Sequence, residues 1–253
     1  MPDMGLIAVT GGTGFVGRHV IRALLEAGYK VRALARTPSK LSDIDHPNLS
    51  ICQGGLGSCD DEFVLDAQIV LHMAGLIKAR TRDEIMATNR DATGALANAA
   101  QAAGVSRFIL LSSQTATQPQ LSDYAASKEA GEMVVKAEFK GALAIIRAPA
   151  VFGPGDQATK PFFEFIAKGK LPVVGGKDWQ SRKMAMVYVK DLAHDITARA
   201  MAGIMMAKLL RLVLSLRSHG LILHKVRGRL LPSQLKHSLS PYLSLKPLQQ
   251  QHH

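Results

Sequence analysis

Cysteine is scarce in this chain of 253 residues, which contains only Cys52 and Cys59. Two cysteines argue against both a disulfide framework and a zinc site, so we expect the reducing cytoplasm and no bound metal. The N-terminus lacks the basic and apolar segments of a signal peptide. The apolar stretch over residues 201–223 carries charges, and the runs between them are too short to span a bilayer.

Acidic residues are missing from residues 196–253, where nine Lys and Arg stand without one Asp or Glu. Most of the net charge of +11 therefore belongs to this tail and not to the domain before it. A basic chain often binds nucleic acid, yet neither a groove-reading motif nor alternating basic and aromatic residues accompany the charge. We predict no nucleic-acid partner. Membrane contact through an amphipathic helix over residues 201–223 is a weaker alternative.

Apolar runs and helical patterns alternate along the first 150 or so residues, which predicts βαβ units. The predicted strands cover residues 6–9, 31–35, 69–73, 108–111 and 143–146, and the predicted helices cover residues 15–27, 83–103 and 124–139. The strands are continuous apolar runs, as expected for parallel strands that are buried on both faces. The sequence therefore predicts an α/β fold with a Rossmann-type doubly wound parallel sheet.

After residue 152 the pattern of predicted elements and the composition of the sequence change at two points. We assign residues 1–152 to the nucleotide-binding domain, 153–203 to a small, truncated C-terminal substrate lobe, and 204–253 to an atypical basic tail. The pieces of the lobe are predicted at residues 162–167, 171–174, 185–189 and 190–202. Residues 230–253 lack periodicity and are expected to be poorly ordered.

A glycine-rich turn lies between the first predicted strand and the first predicted helix. It consists of Thr10, Gly11, Gly12, Thr13, Gly14, Phe15, Val16 and Gly17. Gly11 allows a tight turn, Gly14 lets the backbone approach a pyrophosphate, and Gly17 lets the helix pack close to the strand. The helix N-terminus offers free N–H groups and partial positive charge to the phosphates. The turn therefore predicts a dinucleotide-binding site.

With this turn the chain resembles the short-chain dehydrogenase/reductase superfamily, in its extended and atypical branch of NAD(P)-dependent epimerases, dehydratases and reductases. The resemblance covers about 195 residues, and further motifs that match are His72-Met73-Ala74-Gly75, Asn89 with Thr93, Arg107 to Ser113, and Arg147 to Asp156. It implies cofactor contacts from Ala74, Gly75, Asn89 and Pro149. Two positions depart from the pattern: Gly55 replaces an Asp that holds the adenine, and Phe152 replaces a Tyr.

The end of the second predicted strand decides which nicotinamide cofactor is expected. An NAD site usually carries an acid there, whereas residues 31–40 contain none and place Arg36 at the position, with Lys40 nearby. A guanidinium suits a 2′-phosphate well. We therefore expect NADP(H) rather than NAD(H).

Tyr124 and Lys128 form a Tyr-x-x-x-Lys motif on a predicted helix, so the two side chains share a face. A phenol has a pKa of about 10, and lowering it by about three units needs roughly 4 kcal/mol. A cation at about 4 Å supplies about that amount at an effective dielectric constant of about 20. By resemblance, Lys128 also holds the nicotinamide ribose, and Ser113 orients the substrate oxygen. We interpret Glu129 and Glu132 as a solvated face and His72 and His194 as structural residues.

These features support an NAD(P)-dependent reductase, dehydrogenase or epimerase that acts on a small-molecule carbonyl or alcohol. An alternative is a non-catalytic nucleotide-binding protein, such as the accessory subunit of respiratory complex I with this fold. The intact Tyr124 and Lys128 pair favours the enzyme, because a pure binder does not need it. The sequence leaves the substrate and the oligomeric state open.

The acid-free tail leads to a separate hypothesis. About a tenth of residues in ordinary proteins are acidic, so several were expected among the last 58 residues. The basic residues are scattered among leucines and are not clustered in blocks. We hypothesise that the reading frame shifts near Gly203 or that the gene is a degraded copy, which translation of the other two frames would test.

Overall fold

The computed structural model of the protein describes residues 5–58, 60–168, 183–201, 211–217 and 220–226. By internal contacts the chain divides into two units. The first consists of Met1–Pro149 with Leu192–Lys208, and the second of Ala150–Asp191 with Leu209–His253. Every predicted site residue belongs to the first unit.

The first unit is built on a six-stranded sheet. Its strands are β1 (Leu6–Thr10), β2 (Lys30–Ala35), β3 (Leu49–Gln53), β4 (Ile69–His72), β5 (Arg107–Ser113) and β6 (Ala142–Ala148). All neighbours pair in parallel, and their order is β3-β2-β1-β4-β5-β6. This order confirms the predicted Rossmann-type sheet.

The helices of this unit are α1 (Phe15–Glu26), α2 (Asp60–Val64), α3 (Arg82–Met86), α4 (Ala92–Ala102) and α5 (Asp123–Glu138). Residues 82–102 are helical without a break, as predicted over residues 83–103, but a π turn at Ala87–Asp91 separates α3 from α4. The sequence prediction also missed β3 and α2. β3 lies at the sheet edge and contains no buried residue, and it lacks the apolar run that marks a buried strand.

Apolar side chains of the strands form the centre of the hydrophobic core. Val9, Val31, Val70 and Phe108, from four neighbouring strands, are fully buried. Helix α1 buries Val20, Ile21 and Leu24, whose spacing places them on one face. Burial of such side chains contributes about 25 cal/mol for each Å² of apolar surface and is the main source of stability here.

Two glycines bring the middle helices close together. A Cβ atom at Gly94 of α4 would lie 2.7 Å from the side chain of Val134 on α5. A Cβ atom at Gly131 of α5 would lie 2.4 Å from the carbonyl oxygen of Asn89 in the π turn. Both distances are shorter than van der Waals contact, so the two glycines allow α5 to pack closely against α4 and the π turn.

The second unit contains β7 (Ala150–Phe152), α6 (Lys160–Ala167), β8 (Lys183–Tyr188), the start of α7 (Val189–Met201), β9 (Arg211–Arg217) and β10 (Gly220–Val226). Its four strands follow the order β10-β9-β8-β7. The alternative of a helix over residues 201–223 is wrong, because β9 and β10 form an antiparallel pair there. The predictions for residues 171–174 and 230–253 lie outside the described residues. In the part of the chain that the structure describes, no helix has both the length and the apolarity needed to cross a membrane.

Candidate active site

The strand order reverses between β1 and β4, from which the sheet extends in opposite directions. At this point Thr10 and His72, the last residues of the two strands, are paired neighbours. In open parallel sheets, ligands bind outside the carboxyl ends of the strands at such a reversal. The glycine-rich turn begins here, directly after β1.

Three glycines shape the turn: two of them allow close backbone approach within it, and the third is exposed before α1. Gly11 has a φ of +71°, and a Cβ atom there would lie 2.6 Å from the backbone nitrogen of Ala74. A Cβ atom at Gly17 would lie 2.1 Å from the carbonyl oxygen of Gly11. Gly14 is exposed and precedes α1, whose first turn has neither a side-chain cap nor an acidic residue. The turn therefore fits the pyrophosphate of a dinucleotide.

A buried network joins the two strand ends. The Thr10 hydroxyl accepts hydrogen bonds from the backbone N–H groups of Met73 and Ala74, both at 3.2 Å. It also lies 2.6 Å from Nδ1 of His72, whose Nε2 lies 2.9 Å from the Thr93 hydroxyl. Because the Thr10 oxygen already accepts twice, its proton goes to Nδ1, and Nε2–H donates to Thr93. Thr10 and His72 thus hold the turn against the segment after β4.

The imidazole in this network stays neutral. Burial, together with the charge of Lys128, lowers the pKa of His72 to about 3. This agrees with the interpretation of His72 as a structural residue, whereas His194 is exposed on α7.

His72 should make the stability of the protein depend on pH. The pKa of an unfolded histidine is about 6.5, so at lower pH the unfolded chain binds a proton that folded His72 excludes until about pH 3. Its contribution is fully present above pH 6.5 and is lost as the pH falls. We expect the free energy of unfolding to fall by about 2 kcal/mol between pH 7 and pH 5 from this residue. Urea denaturation measures it, and an equal fall in His72→Gln would contradict the assignment.

Ser113, Tyr124 and Lys128 meet where β5 ends and α5 begins. Ser122 caps α5, since its hydroxyl accepts from the N–H of Ala125 at 3.1 Å. The Tyr124 phenol lies beside the Ser113 hydroxyl, which acts on the phenol pKa, and Nζ of Lys128, one turn further on, donates to the Leu111 carbonyl at 3.0 Å. The structure thus brings the three predicted catalytic residues together, with Tyr124 half-buried and Lys128 buried.

The pKa of Tyr124 beside Lys128 differs from what the sequence led us to expect. Burial raises the pKa of Tyr124, and the Ser113 hydrogen bond opposes this only in part. The expectation that Lys128 lowers the phenol pKa is therefore wrong for this structure, because the ammonium is directed to the Leu111 carbonyl. Burial also lowers the pKa of Lys128 to about 8, against the opposing charge of Glu132.

Asn89 lies in the π turn, and both polar atoms of its side chain form hydrogen bonds with neighbouring residues. Oδ1 accepts from the N–H of Leu76, while Nδ2 donates to the Leu76 carbonyl and to the Ser127 hydroxyl, all within 2.9 Å. A Cβ atom at Gly75 would lie 3.0 Å from Asn89 Oδ1 and 3.8 Å from Nζ of Lys128. Asn89 therefore fixes the segment after β4 beside Lys128. Single π turns often occur at functional sites.

Arg36 follows β2 directly and is exposed, as is Lys40. A Cβ atom at Gly55 would lie 3.6 Å from Cγ and Cδ of Arg36, so the arginine stem passes over Gly55. The nearby Asp43 was not anticipated. It pairs with Arg18 and Arg22, and the Arg18 hydrogen bond holds the pKa of this carboxyl low.

Glu132 is the residue that the sequence prediction placed wrongly. Its side chain is 2% exposed, not solvated, and it accepts from Ser112 and Arg147. Its position four residues after Lys128 was the available signal, since such residues share a helix face.

Pro149 is buried after β6. Among the described residues, no three His, Cys, Asp or Glu side chains are grouped so that they could hold a metal.

The sheet, the glycine-rich turn and the Ser-Tyr-Lys cluster define an NAD-binding protein of the Rossmann type. A model of the NAD dependent epimerase/dehydratase family matches residues 7–202, and the chain belongs to this family. This membership confirms the resemblance that the motifs predicted. The match ends one residue before Gly203, and the hypothesis of a frame change there stays a prediction.

Two relatives have names that state a reaction and a compound. The chain is 43% identical over 202 residues to a ceramide reductase of Caulobacter vibrioides, a match that covers 77% of this chain. It is 32% identical over 228 residues to a 3 beta-hydroxysteroid dehydrogenase/Delta 5-->4-isomerase of Mycobacterium tuberculosis, covering 78% of the chain. The chain spans 60% of the length of each relative.

Solved structures share the fold. The enzyme WbmH of Bordetella bronchiseptica, in complex with NAD+, has a TM-score of 0.67 at 24% identity, covering 78% of this chain and 72% of its own. A UDP-N-acetylglucosamine 4-epimerase from Methanobrevibacter ruminantium has a TM-score of 0.66 at 25% identity, covering 80% and 74%. WbmH is named as an enzyme and the other three proteins as a reductase, a dehydrogenase/isomerase and an epimerase, and they give no support to the non-catalytic alternative.

Proposed function

We propose that the protein is an NAD(P)-dependent oxidoreductase that reduces a ketone, or oxidises the corresponding secondary alcohol, on an apolar small molecule. The observation that carries this proposal is the grouping of Ser113, at the end of β5, with Tyr124 and Lys128, one helical turn apart on α5, at the same sheet edge as the glycine-rich turn. The more similar relatives are named for ceramide and a hydroxysteroid, which favours a lipid-like substrate over a nucleotide sugar.

Each residue has a distinct role in this proposal. Residues 10–17, with Ala74, Gly75 and Pro149, would line the dinucleotide, and Asn89 would position Gly75. The bound dinucleotide supplies or accepts the hydride. The Tyr124 O–H donates its proton to the substrate carbonyl oxygen during reduction, and Ser113 orients that oxygen. Lys128 would hold the nicotinamide ribose with its ammonium group.

The raised pKa of Tyr124 bears on the direction of the reaction. A phenol with a raised pKa is protonated at neutral pH and is ready to act as an acid. Reduction needs such an acid, whereas oxidation needs the phenolate. We therefore propose that Tyr124 is the proton donor when the reaction runs in the direction of reduction near neutral pH.

Turnover of a substrate panel tests the function. The panel contains 3-ketosteroids, 3-keto-sphingolipids, short aldehydes and UDP-sugars, each incubated with NADPH or NADH. We expect cofactor oxidation with the apolar ketones, and none in the Tyr124→Phe variant. Turnover confined to UDP-sugars, without net cofactor oxidation, would replace the proposal with an epimerase. Tight cofactor binding without any turnover would favour a pure binder.

Arg36 should determine which cofactor is preferred. It is exposed at the end of β2, and Asp43, seven residues further along the chain, is paired with Arg18 and Arg22. We expect NADP(H) to bind more tightly than NAD(H), with Arg36→Asp reversing the preference, because a carboxylate repels the 2′-phosphate and accepts from the ribose hydroxyl. Calorimetry measures both affinities, with Arg80→Asp, an exposed arginine after β4, as the control. Equal or tighter NAD(H) binding by the parent protein would refute this prediction.

A further inference from the structure

Three residues of α5, spaced four apart, contact the end of β5. Ser113 lies beside Tyr124, the Leu111 carbonyl accepts a hydrogen bond from Lys128, and the Ser112 hydroxyl donates a hydrogen bond to Glu132 at 2.6 Å. Residues four apart lie on one face of a helix. One face of α5 is therefore fixed to three consecutive residues of one strand, and the proposed roles account for only two of the three contacts.

Glu132 also reaches the neighbouring strand. Nε of Arg147 donates to Oε1 at 2.9 Å and to Oε2 at 3.1 Å, and Nη2 donates to Oε2 at 2.6 Å. Arg147 on β6 is paired in register with Ser112 on β5. The Glu132 carboxylate thus bridges adjacent strands while its helix carries Tyr124 and Lys128. A two-pronged arginine contact of this kind fixes geometry as well as charge.

We propose that Glu132 is a positioning residue, which fixes α5 on β5 and β6 and keeps the buried Lys128 in its cationic form. The consequence for turnover rests on the proposed function, but the effect on Lys128 does not. The carboxylate is the opposite charge that follows Lys128 on the same helix face. Without it, a buried ammonium would lose the field that compensates for its removal from water.

Other charged groups around Lys128 do not replace Glu132. On α5 the nearest further titratable groups are Tyr124, whose raised pKa keeps it neutral, and Glu129, whose charge acts on Arg147. On β4 it is His72, also neutral, since its pKa is about 3. On β6 it is Arg147, a cation bound to Glu132 itself. In the π turn, Arg90 and Asp91 are exposed and pair with each other at 2.6 Å.

The protonation state of Glu132 suits this role. Although burial opposes it, the hydrogen bonds from Arg147 and Ser112 keep the pKa of Glu132 below its ordinary value. The carboxylate therefore remains ionised at any pH at which Lys128 titrates. Its charge is present throughout the range that matters for the ammonium.

The test is an NMR titration of the cofactor-free protein with ¹³C-labelled lysine, in which loss of one signal in Lys128→Arg assigns Lys128. We expect Lys128 to titrate near pH 8 in the parent protein, and at lower pH in Glu132→Gln, which keeps the shape of the side chain and removes its charge. Glu138→Gln, an exposed change at the end of the same helix, is the control and should leave the titration unchanged. An unchanged Lys128 titration in folded Glu132→Gln overturns the proposal.

If Glu132→Gln does not fold, Arg147→Ala provides the same test from the other side, because its side chain is 43% exposed. Loss of this cation leaves the Glu132 charge uncompensated, so Lys128 should titrate at higher pH than in the parent. No shift, or a shift to lower pH, overturns the proposal.

Turnover gives a second measurement once a substrate is found. Glu132→Gln should lower kcat on the order of tenfold, as for other residues that orient a functional group from outside, and move the basic limb of the pH profile to lower pH. A purely structural residue would lower Tm and leave the pH profile in place, and that result would contradict the proposal. The NMR shift without any turnover would refute the proposed function and leave the role of Glu132 intact.

Discussion

Replacement of Tyr124 by Phe is expected to lower kcat by about 10²–10⁴-fold, the usual contribution of a positioned acid or base. The substitution removes only the hydroxyl group, and the half-buried ring keeps its place on α5. Ser113 loses its contact with Tyr124 but retains Thr115, whose hydroxyl lies 2.9 Å away. Cofactor affinity should change little, because the phenol is assigned to proton transfer and not to binding.

Lys128→Ala provides the comparison for this prediction. The lysine is assigned to both the ribose and the charge of the site, so its loss should weaken cofactor binding and lower kcat together. Steady-state kinetics with calorimetry separates the two patterns. Full activity in Tyr124→Phe would show that the chemistry lies elsewhere in the protein.

Much of the first unit could be predicted from the sequence because its signals are local. The strand, the glycine-rich turn and the start of α1 follow one another within about twenty residues, and the Tyr124–Lys128 spacing defines a helix face. These signals need no knowledge of distant residues. The predicted sheet and the meeting of Ser113 with Tyr124 follow from them.

What the sequence could not reveal depends on contacts between distant segments. Glu132 looks like a solvated glutamate until β5 and β6 place Ser112 and Arg147 beside it. The π turn at Asn89 coincides with close packing against Gly131, 42 positions further along the chain. The pKa of Tyr124 was misjudged because the direction of the Lys128 side chain is set by a backbone carbonyl on another strand.

Gly14→Val should abolish dinucleotide binding without unfolding the protein. Gly14 has a φ of −81° and a ψ of 173°, which any residue can adopt. A Cβ atom there meets only the carbonyl oxygen of Gly11, at 3.3 Å, a tight contact that a shift of a few tenths of an ångström relieves. The branched side chain would instead occupy the space before the N-terminus of α1, where the pyrophosphate is expected. Gly17→Val differs, because its Cβ would lie 2.1 Å from the same oxygen and should destabilise the fold.

Calorimetric titration of NADPH into the parent protein and into Gly14→Val tests the dinucleotide site most directly. We expect saturable binding by the parent and affinity lower by at least about 100-fold in the variant, which corresponds to about 2.7 kcal/mol. The Tm of the two proteins should agree within a few degrees. Binding of NADPH to Gly14→Val with the affinity of the parent, or no binding of NADPH or NADH by the parent, would contradict the account.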